Sequence, residues 1–451
     1  MRNIFILLSL FVFIPFSNAQ IDQPGLFAIL GFNDQHLVYI SPSDSLEVID
    51  LGTLGTTANV LRLFEGELWV VHSGDFSDGS GAELWHASVE NEISTAMEEN
   101  RDIEWQTINL PDYSNPWDVE YIDGSVFVSL IGENAVVKIN PESGSEITRW
   151  EDMSAPQGLK SDQNGLIAVA NSGWGFGSTV TFINTDDDEI DTSLAVHDNP
   201  QWIVYDGSRF HILCSGRSWG DNPVTGKVVV FNTVNDSSDE ILLTSNPGEI
   251  TLLQPGDEQE KAALGDEYAG DISHIAAYDT ESLQIDENIP LYSGGFSLTS
   301  SSITGNLYVG SISTPYNLHL VETNEDGWDE NITLLSTFDS PIMDLLYYIP
   351  ENWNSIVSNK AVYFPSPELH PVFPNPFNST AKITFTLSQR ESVNLNLYTI
   401  NGRIVNNMVQ GVLSPGSHEI MINSSNLASG SYFVSLEGRN FSQVRQLVVV
   451  K

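Results

Sequence analysis

Cysteine, basic side chains and long apolar runs are what this 451-residue chain has least of. A single cysteine excludes a disulfide framework and any cysteine-built zinc or iron–sulfur centre. Seventeen lysines and arginines face sixty aspartates and glutamates, a formal charge of −43. Such a surface repels phosphate backbones and anionic headgroups, which excludes nucleic-acid binding. The longest apolar run, residues 4–16, is interrupted by Pro15. It falls short of the ~20 residues that a spanning helix needs. Helical periodicity is nearly absent between residues 24 and 350, and the chain has no His-Glu-x-x-His, phosphate-loop or GxGxxG motif. With 41% hydrophobic and 10% aromatic residues, it can nonetheless bury a core, so wholesale disorder is excluded.

The N-terminal run has a different use. Arg2 precedes it, and Ser17-Asn18-Ala19 follows with small residues at the −3 and −1 positions. This is the pattern of a secretory signal peptide over residues 1–19, cut between Ala19 and Gln20. No cysteine follows the cut, so a lipoprotein anchor is unavailable and the mature chain is expected to be exported. The lone thiol, Cys214 in HILCSG, reads as a small hydrophobe inside a buried strand.

Charge divides the chain. Residues 21–355 hold fifty-six acids and nine bases, a net of −47, while residues 356–451 carry seven bases and four acids, a net of +3. That asymmetry predicts two modules, 20–355 and 373–451. Between them, residues 356–372 read as a proline-rich, extended linker.

In the large module one unit recurs. It has an Asn-Pro or similar turn, an apolar strand, a Gly turn, a second apolar strand, a loop, and a third strand closing on Asn or Asp. Clear copies begin at Asn115, Ala155 and Asn199, a fainter one at Asn59, and looser ones near Pro247 and Ser297. Pro116, Pro156, Pro200 and Pro247 mark a period of 40 to 47 residues. About four short strands per period is the pattern of β-propeller blades. Residues 24–51 look like the last three strands of a blade and residues 340–349 like a missing first strand, so the two termini are predicted to close the ring. The count is seven, with six or eight left open by the irregular stretch 248–300. The repeat resembles YVTN-type and NHL-like propellers in spacing and turn chemistry.

The last eighty residues alternate cleanly. Ile383, Phe385 and Leu387 interleave with Lys382, Thr384 and Thr386, as in a small antiparallel, immunoglobulin-like β-sandwich. Five segments occur in order: PNPFNSTAKITFTL from Pro374, LNLYTINGRIV from Leu395, SPGSHEI from Ser414, LASGSYFVSLEG from Leu427 and the terminal QLVVVK. Their signature residues are Pro374, Asn375, Pro376, Phe377 and Asn378, then Gly402, Arg403, Gly430 and Tyr432. This series resembles the type A C-terminal sorting domain of type IX secretion (Por secretion) cargo. The resemblance implies an address read by the outer-membrane translocon of Bacteroidetes-like bacteria. The cargo would then be released or held at the outer face through lipopolysaccharide.

Chemistry is harder to find. Gly216-Arg217-Ser218-Trp219-Gly220 fits G-x-S-x-G, but a nucleophile elbow needs a helix after it, and here a strand follows. The acidic stretches 75–83 and 186–188 lack EF-hand spacing and read as solvated turns. Aromatics are more informative. The loops leading into the first strands carry Trp117 and Trp202. Those between second and third strands carry Asp75, Phe76, Trp174, Phe176, Arg217, Trp219 and Asp221, and in a propeller both sets share one face. A rim of aromatics with a few polar groups suits a ligand site, and a base-poor face suits neutral sugars or peptides. The leading expectation is a secreted or cell-surface module binding glycan, peptide or a surface protein. The alternative is a Ca²⁺-dependent hydrolase or lactonase-like enzyme with the ion held by Asn115, Asp118 and Asn199 in the central channel. A quinoprotein is disfavoured by the shortage of base.

Overall fold

Within each sheet of the large module, consecutive strands pair antiparallel, and the chain then moves on to start the next sheet. The computed structural model describes residues 21–350 apart from 22, 42–45, 56, 76, 221, 254–260, 267–272, 292–295 and 325–326. It also describes 368–450 apart from 371, 388–390, 402, 414–415, 425–426 and 439–440. Among the described residues the large module has seven four-stranded sheets. Six are consecutive blades whose first strands are Ala58–Phe64, Pro116–Ile122, Pro156–Ser161, Pro200–Tyr205, Pro247–Leu253 and Ser297–Ser300. The seventh is built from both ends of the module: Ile342–Tyr348 pairs with Gly25–Leu30, which continues to Gln35–Ser41 and Glu47–Gly55. Each first strand touches the first strand of the next blade, and the last touches the closing strand, so the ring is complete. The module is a β-propeller closed by its terminal strands, as the repeat predicts.

Burial falls from the axis outward. The second strand Ser125–Leu130 is buried along its whole length, whereas the outer strand Glu189–Ala195 is almost wholly exposed. A single sheet would leave two apolar faces wet, and packing blade on blade removes them from water. Val60, Trp69 and Val71 of the first blade meet Val119, Val126 and Val128 of the second. Leu213, Val228 and Val230 of the fourth meet Ile250, Ala262 and Leu264 of the fifth. Cys214 ends the strand Phe210–Cys214, fully buried, and burial pushes its thiol up to about 12. A staple also ties these two blades. His211 lies between Asp206 (Nε2 to Oδ2, 2.9 Å) and the Tyr278 hydroxyl (2.8 Å to Nδ1), all out of solvent.

Where the sequence shows almost no helix, the structure has one short insertion. Between the third and fourth strands of the first blade lie a π-turn, Val89–Ile93, and a helix, Ser94–Glu99. The Ser88 hydroxyl caps it by accepting from Asn91 N–H, and Val89, Ile93, Ala96 and Met97 face the core. The segment is too short for its period to stand out among strands.

The tail is a sandwich. One sheet contains Glu368–Leu369, Thr380–Leu387 and Gly416–Asn423; the other contains Ile404–Leu413, Glu391–Thr399, Gly430–Glu437 and Ser442–Val449. Ile383, Phe385, Leu387, Val393, Leu395, Leu397, Val434 and Leu436 fill the space between them. The stretch read as linker, 356–372, is corrected at its C-terminal end. Leu369 and Val372 are core residues of the sandwich, and Glu368–Leu369 pairs with Phe385 and Thr386. Prolines nearby hid a strand of two residues. The signature residues hold this sandwich together. Asn375 uses its side chain like a neighbouring strand, donating to Gln446 O at 2.9 Å and accepting from Val448 N at 2.8 Å. Phe377 is buried beside it and exchanges backbone hydrogen bonds with Val448 and Val450, so the edge of the last strand is covered. The Asn378 carbonyl accepts from Ser424, and Tyr432 donates to Ala428 O. Arg403 closes the 399–403 turn, while Gly430 opens its strand at φ 154; Gly402 lies outside the described residues.

Ring closure generates a prediction. Ending the chain at residue 339 should expose the edge of Gly25–Leu30 and abolish cooperative urea unfolding of the propeller, followed by tryptophan fluorescence. Ending it at 355, which keeps Ile342–Tyr348, should preserve the transition. Equal midpoints for the two would refute closure by that strand.

Candidate functional site

Two sets of side chains stand out, one on a rim and one in the channel. The rim begins with the loop Gly173–Gly177. Gly173, Trp174 and Gly175 all take positive φ (55°, 55° and 90°), which for Trp174 is a strained conformation. Gly177 is forced: a Cβ there would strike the Asn171 carbonyl. The turn throws Trp174 and Phe176 outward, 57% and 67% exposed. From the next blade, Trp219 lies over Gly175, whose absent Cβ would sit 2.7 Å from the indole. It remains 51% exposed. Arg217 places its guanidinium 4.9 Å from the centre of the Phe176 ring and pairs with Asp198 at 2.8 Å. Its Nε is buried without a partner among the described residues.

The structure thus sets Arg217 and Trp219 of the sequence-derived set against Phe176 and Gly175, with Trp174 exposed on the same turn. The others go elsewhere. Asp75 is exposed in its own turn, accepting from Ser77 N at 2.7 Å, and these hydrogen bonds lower its pKa. Asp221 and Phe76 lie outside the described residues. Trp117 is half-buried at the start of its strand, where its carbonyl accepts from Asn59. Trp202 packs inward between blade cores and carries Arg62 on its face, 5.3 Å from the ring centre. Sequence reasoning missed Tyr113. It is exposed, and its ring sits on Gly79 of the preceding blade much as Trp219 sits on Gly175. Its position two residues before the Asn115-Pro116 turn was the available signal.

The channel set starts from a repeated irregularity. In six of the seven first strands a β-bulge interrupts the register near the strand's start, between Ala58 and Val60, Pro116 and Val119, Pro156 and Leu159, Pro200 and Trp202, Pro247 and Glu249, and opposite Ile29/Leu30. Bulges re-aim side chains. At or just after the bulge, three blades carry an acid that accepts a backbone N–H of the next blade: Asp344 from Leu61 (2.6 Å), Asp118 from Leu159 (3.0 Å) and Glu249 from Leu298 (2.8 Å). Each carboxylate latches one blade to its neighbour. Arg62 pairs with Asp118 at 2.8 Å and is a quarter exposed.

Burial and mutual repulsion make this ring of charge costly. Burial, reinforced by Asp344, pushes Glu249 well above the usual carboxylate range. Burial pushes Asp344 up to about 6, and raises Asp118 despite its Arg62 partner. Burial works against the Arg62 charge, but Asp118, Asp344 and Glu249 overcome it and hold the guanidinium protonated.

Of the ion site expected from sequence, Asp118 is the residue whose oxygens are already engaged. Asn115 donates its amide to Ser73 O and Asn199 to Gly216 O, both at 3.0 Å, as ties at left-handed turns, while the Asn199 Oδ1 is buried without a partner among the described residues. The two oxygens of Asp118 are taken by Arg62, Val119 N and Leu159 N. Asp188 pairs with Lys138 across blades. Among the described residues no three His, Cys, Asp or Glu side chains are grouped to hold a metal ion.

Residues 371–450 match the secretion system C-terminal sorting domain. The tail is a sorting domain. It marks the chain as type IX secretion cargo, bound for the cell surface or the medium. No relative of curated function matches the cargo's sequence. Among solved structures it is similar to a putative 6-phosphogluconolactonase from Bacteroides fragilis, at 11% identity over 74% of this chain and 100% of that one, TM-score 0.53. A putative 6-phosphogluconolactonase from Bacteroides uniformis gives 10%, 72%, 100% and 0.54. PorZ, a surface component of the type IX secretion system of Porphyromonas gingivalis, gives 12%, 93%, 64% and 0.45. At such identities the likeness shows the propeller fold alone. Among the described residues no helix of the cargo is long and apolar enough to cross a membrane.

The channel acids set a pH dependence. In the unfolded chain these carboxyls lose their protons near the ordinary 3.8 and 4.5, while the folded ring keeps them to higher pH. The folded ring therefore binds more protons, and its stability falls as pH rises from about 4 through 6. Glu249→Gln retains an acceptor for Leu298 and removes the buried charge. It should raise the melting temperature at pH 8 by about 2 °C or more, with the gain gone at pH 4. A loss at pH 8 would mean that the latch requires the ionised group.

Proposed function

We propose that the cargo is an extracellular binding module whose ligand docks on the propeller rim formed by Trp174, Phe176, Arg217 and Trp219. The observation that carries this reading is the combination of strain and exposure at one place. Trp174 is held in a left-handed conformation, which costs free energy, only to leave its indole mostly in water. Beside it the third blade supplies Phe176, and the fourth supplies an indole and a guanidinium. Many large aromatics of the same fold are buried, as Phe127, Phe182 and Phe210 are, and Phe32 and Tyr113 are exposed away from this cluster. Folding stability does not account for such a cluster, whereas ligand stacking does.

In this reading residues 1–19 direct passage across the inner membrane, with cleavage between Ala19 and Gln20, and the sorting domain then directs passage across the outer membrane. The module is presented at the surface of a Gram-negative cell or released. The lactonase-like alternative has less support, since both Asp118 oxygens are engaged in structural bonds and no three His, Cys, Asp or Glu side chains are grouped nearby among the described residues.

The joint variant Trp174→Ala/Trp219→Ala tests the rim. Its melting temperature should stay within about 2 °C of the parent, because surface substitutions away from packed features move stability by about 0.5 kcal/mol. The binding that the parent protein shows to fixed cells or to a glycan and peptide array should be lost in the variant. A large fall in melting temperature would show that the two indoles serve packing.

A further inference from the structure

We infer that the ligand of this rim is an uncharged carbohydrate chain, stacked on the Trp219 and Trp174 indoles and hydrogen-bonded by Arg217 and Asp198. The inference rests on the binding reading above and narrows it to one chemistry.

The platform is preorganised. The Trp219 indole is seated against the bare backbone of Gly175, and the Phe176 ring is held by the Arg217 guanidinium. A pyranose ring offers an apolar face of C–H bonds to such a surface and hydroxyls around its edge. The polar groups needed at that edge are present. The Arg217 guanidinium and the Asp198 carboxylate that pairs with it at 2.8 Å are both partly exposed, and Ser218 is exposed between Arg217 and Trp219. A sugar hydroxyl could accept from the guanidinium and donate to the carboxylate together.

Charge selects among glycans. The Arg217 cation is offset by Asp198, so the site is close to neutral, and it sits on a module of net −47. Sulfated, phosphorylated and uronic-acid polymers would be repelled by the surrounding field.

A peptide fits less well because the loop backbones are already paired. Gly173 N donates to Ser154 O, Gly175 N and Gly177 N to Ser172 O, and Phe176 N to Gly173 O. Arg217 and Val224 exchange both backbone hydrogen bonds. An extended peptide would find no strand edge to lengthen here, and recognition of that kind depends on main-chain pairing.

Native affinity electrophoresis of the full chain tests the inference, with soluble β-glucan, xylan, mannan and amylopectin in the gel and with alginate and heparin as charged counterparts. At least one neutral polymer should retard the protein, and neither charged polymer should do so. Trp219→Ala and Trp174→Ala should each weaken retardation by about tenfold or more, as expected for loss of one stacking contact, and Arg217→Met by a smaller factor. Melting curves of each variant, overlapping the parent's, exclude misfolding as the cause. Retardation by no neutral polymer overturns the inference. If a peptide array or neutral lipid vesicles then bind in a Trp219-dependent manner, the rim reading survives while the carbohydrate does not. Retardation by a glycan that both tryptophan substitutions leave unchanged overturns the rim itself.

Discussion

The propeller depends on one pairing, that of Gly25–Leu30 with Ile342–Tyr348. Every other blade is drawn from a continuous stretch of chain and needs no distant partner to form its sheet. The seventh needs both ends of the module, and without it two blades would face water with apolar sides. Leu26, Ala28 and Val38 on one side of that blade, and Phe27, Ile29 and Leu37 on the other, belong to different cores. Closing the ring therefore buries two interfaces at once. Rim loops on opposite sides of the ring can then hold a fixed geometry.

An acid-rich chain has to place some of its carboxylates indoors, and this one uses them at the axis. Asp118, Glu249 and Asp344 each satisfy a buried backbone N–H of the following blade. Arg62 offsets part of the charge and lies on Trp202. The cost of burying the rest is lowered by proton retention at Glu249 and Asp344. The same ionisable groups that look like a ligand site are thereby committed to joining blades. The rim, where Arg217 pairs with a partly exposed Asp198 and three rings face water, carries the functional reading instead.

Much of the architecture was legible because it is encoded in neighbouring residues. Asn115-Pro116 and Asn199-Pro200 mark blade starts, since asparagine accepts the left-handed conformation and proline begins the strand. Alternation at Ile383, Phe385 and Leu387 shows one buried face. The tail's signature residues were legible as a set, yet their work was not: nothing local says that the Asn375 side chain will stand in for a strand. Leu369 was hidden for the same reason, its two-residue strand being defined by its partner.

What the sequence alone determined is the period of the repeat, the division of charge, the sorting tail and the split blade, all properties of residues close together or of counts. Only the tertiary structure decided the fate of each aromatic. Trp202 lies in the first strand of the fourth blade and Trp219 in the loop between its second and third strands, and both were expected on one rim. One meets Arg62 in the channel and is drawn inward, while the other meets the bare backbone of Gly175 and is left in water. The deciding partner comes from another blade, and no local pattern specifies which side chain that blade will present.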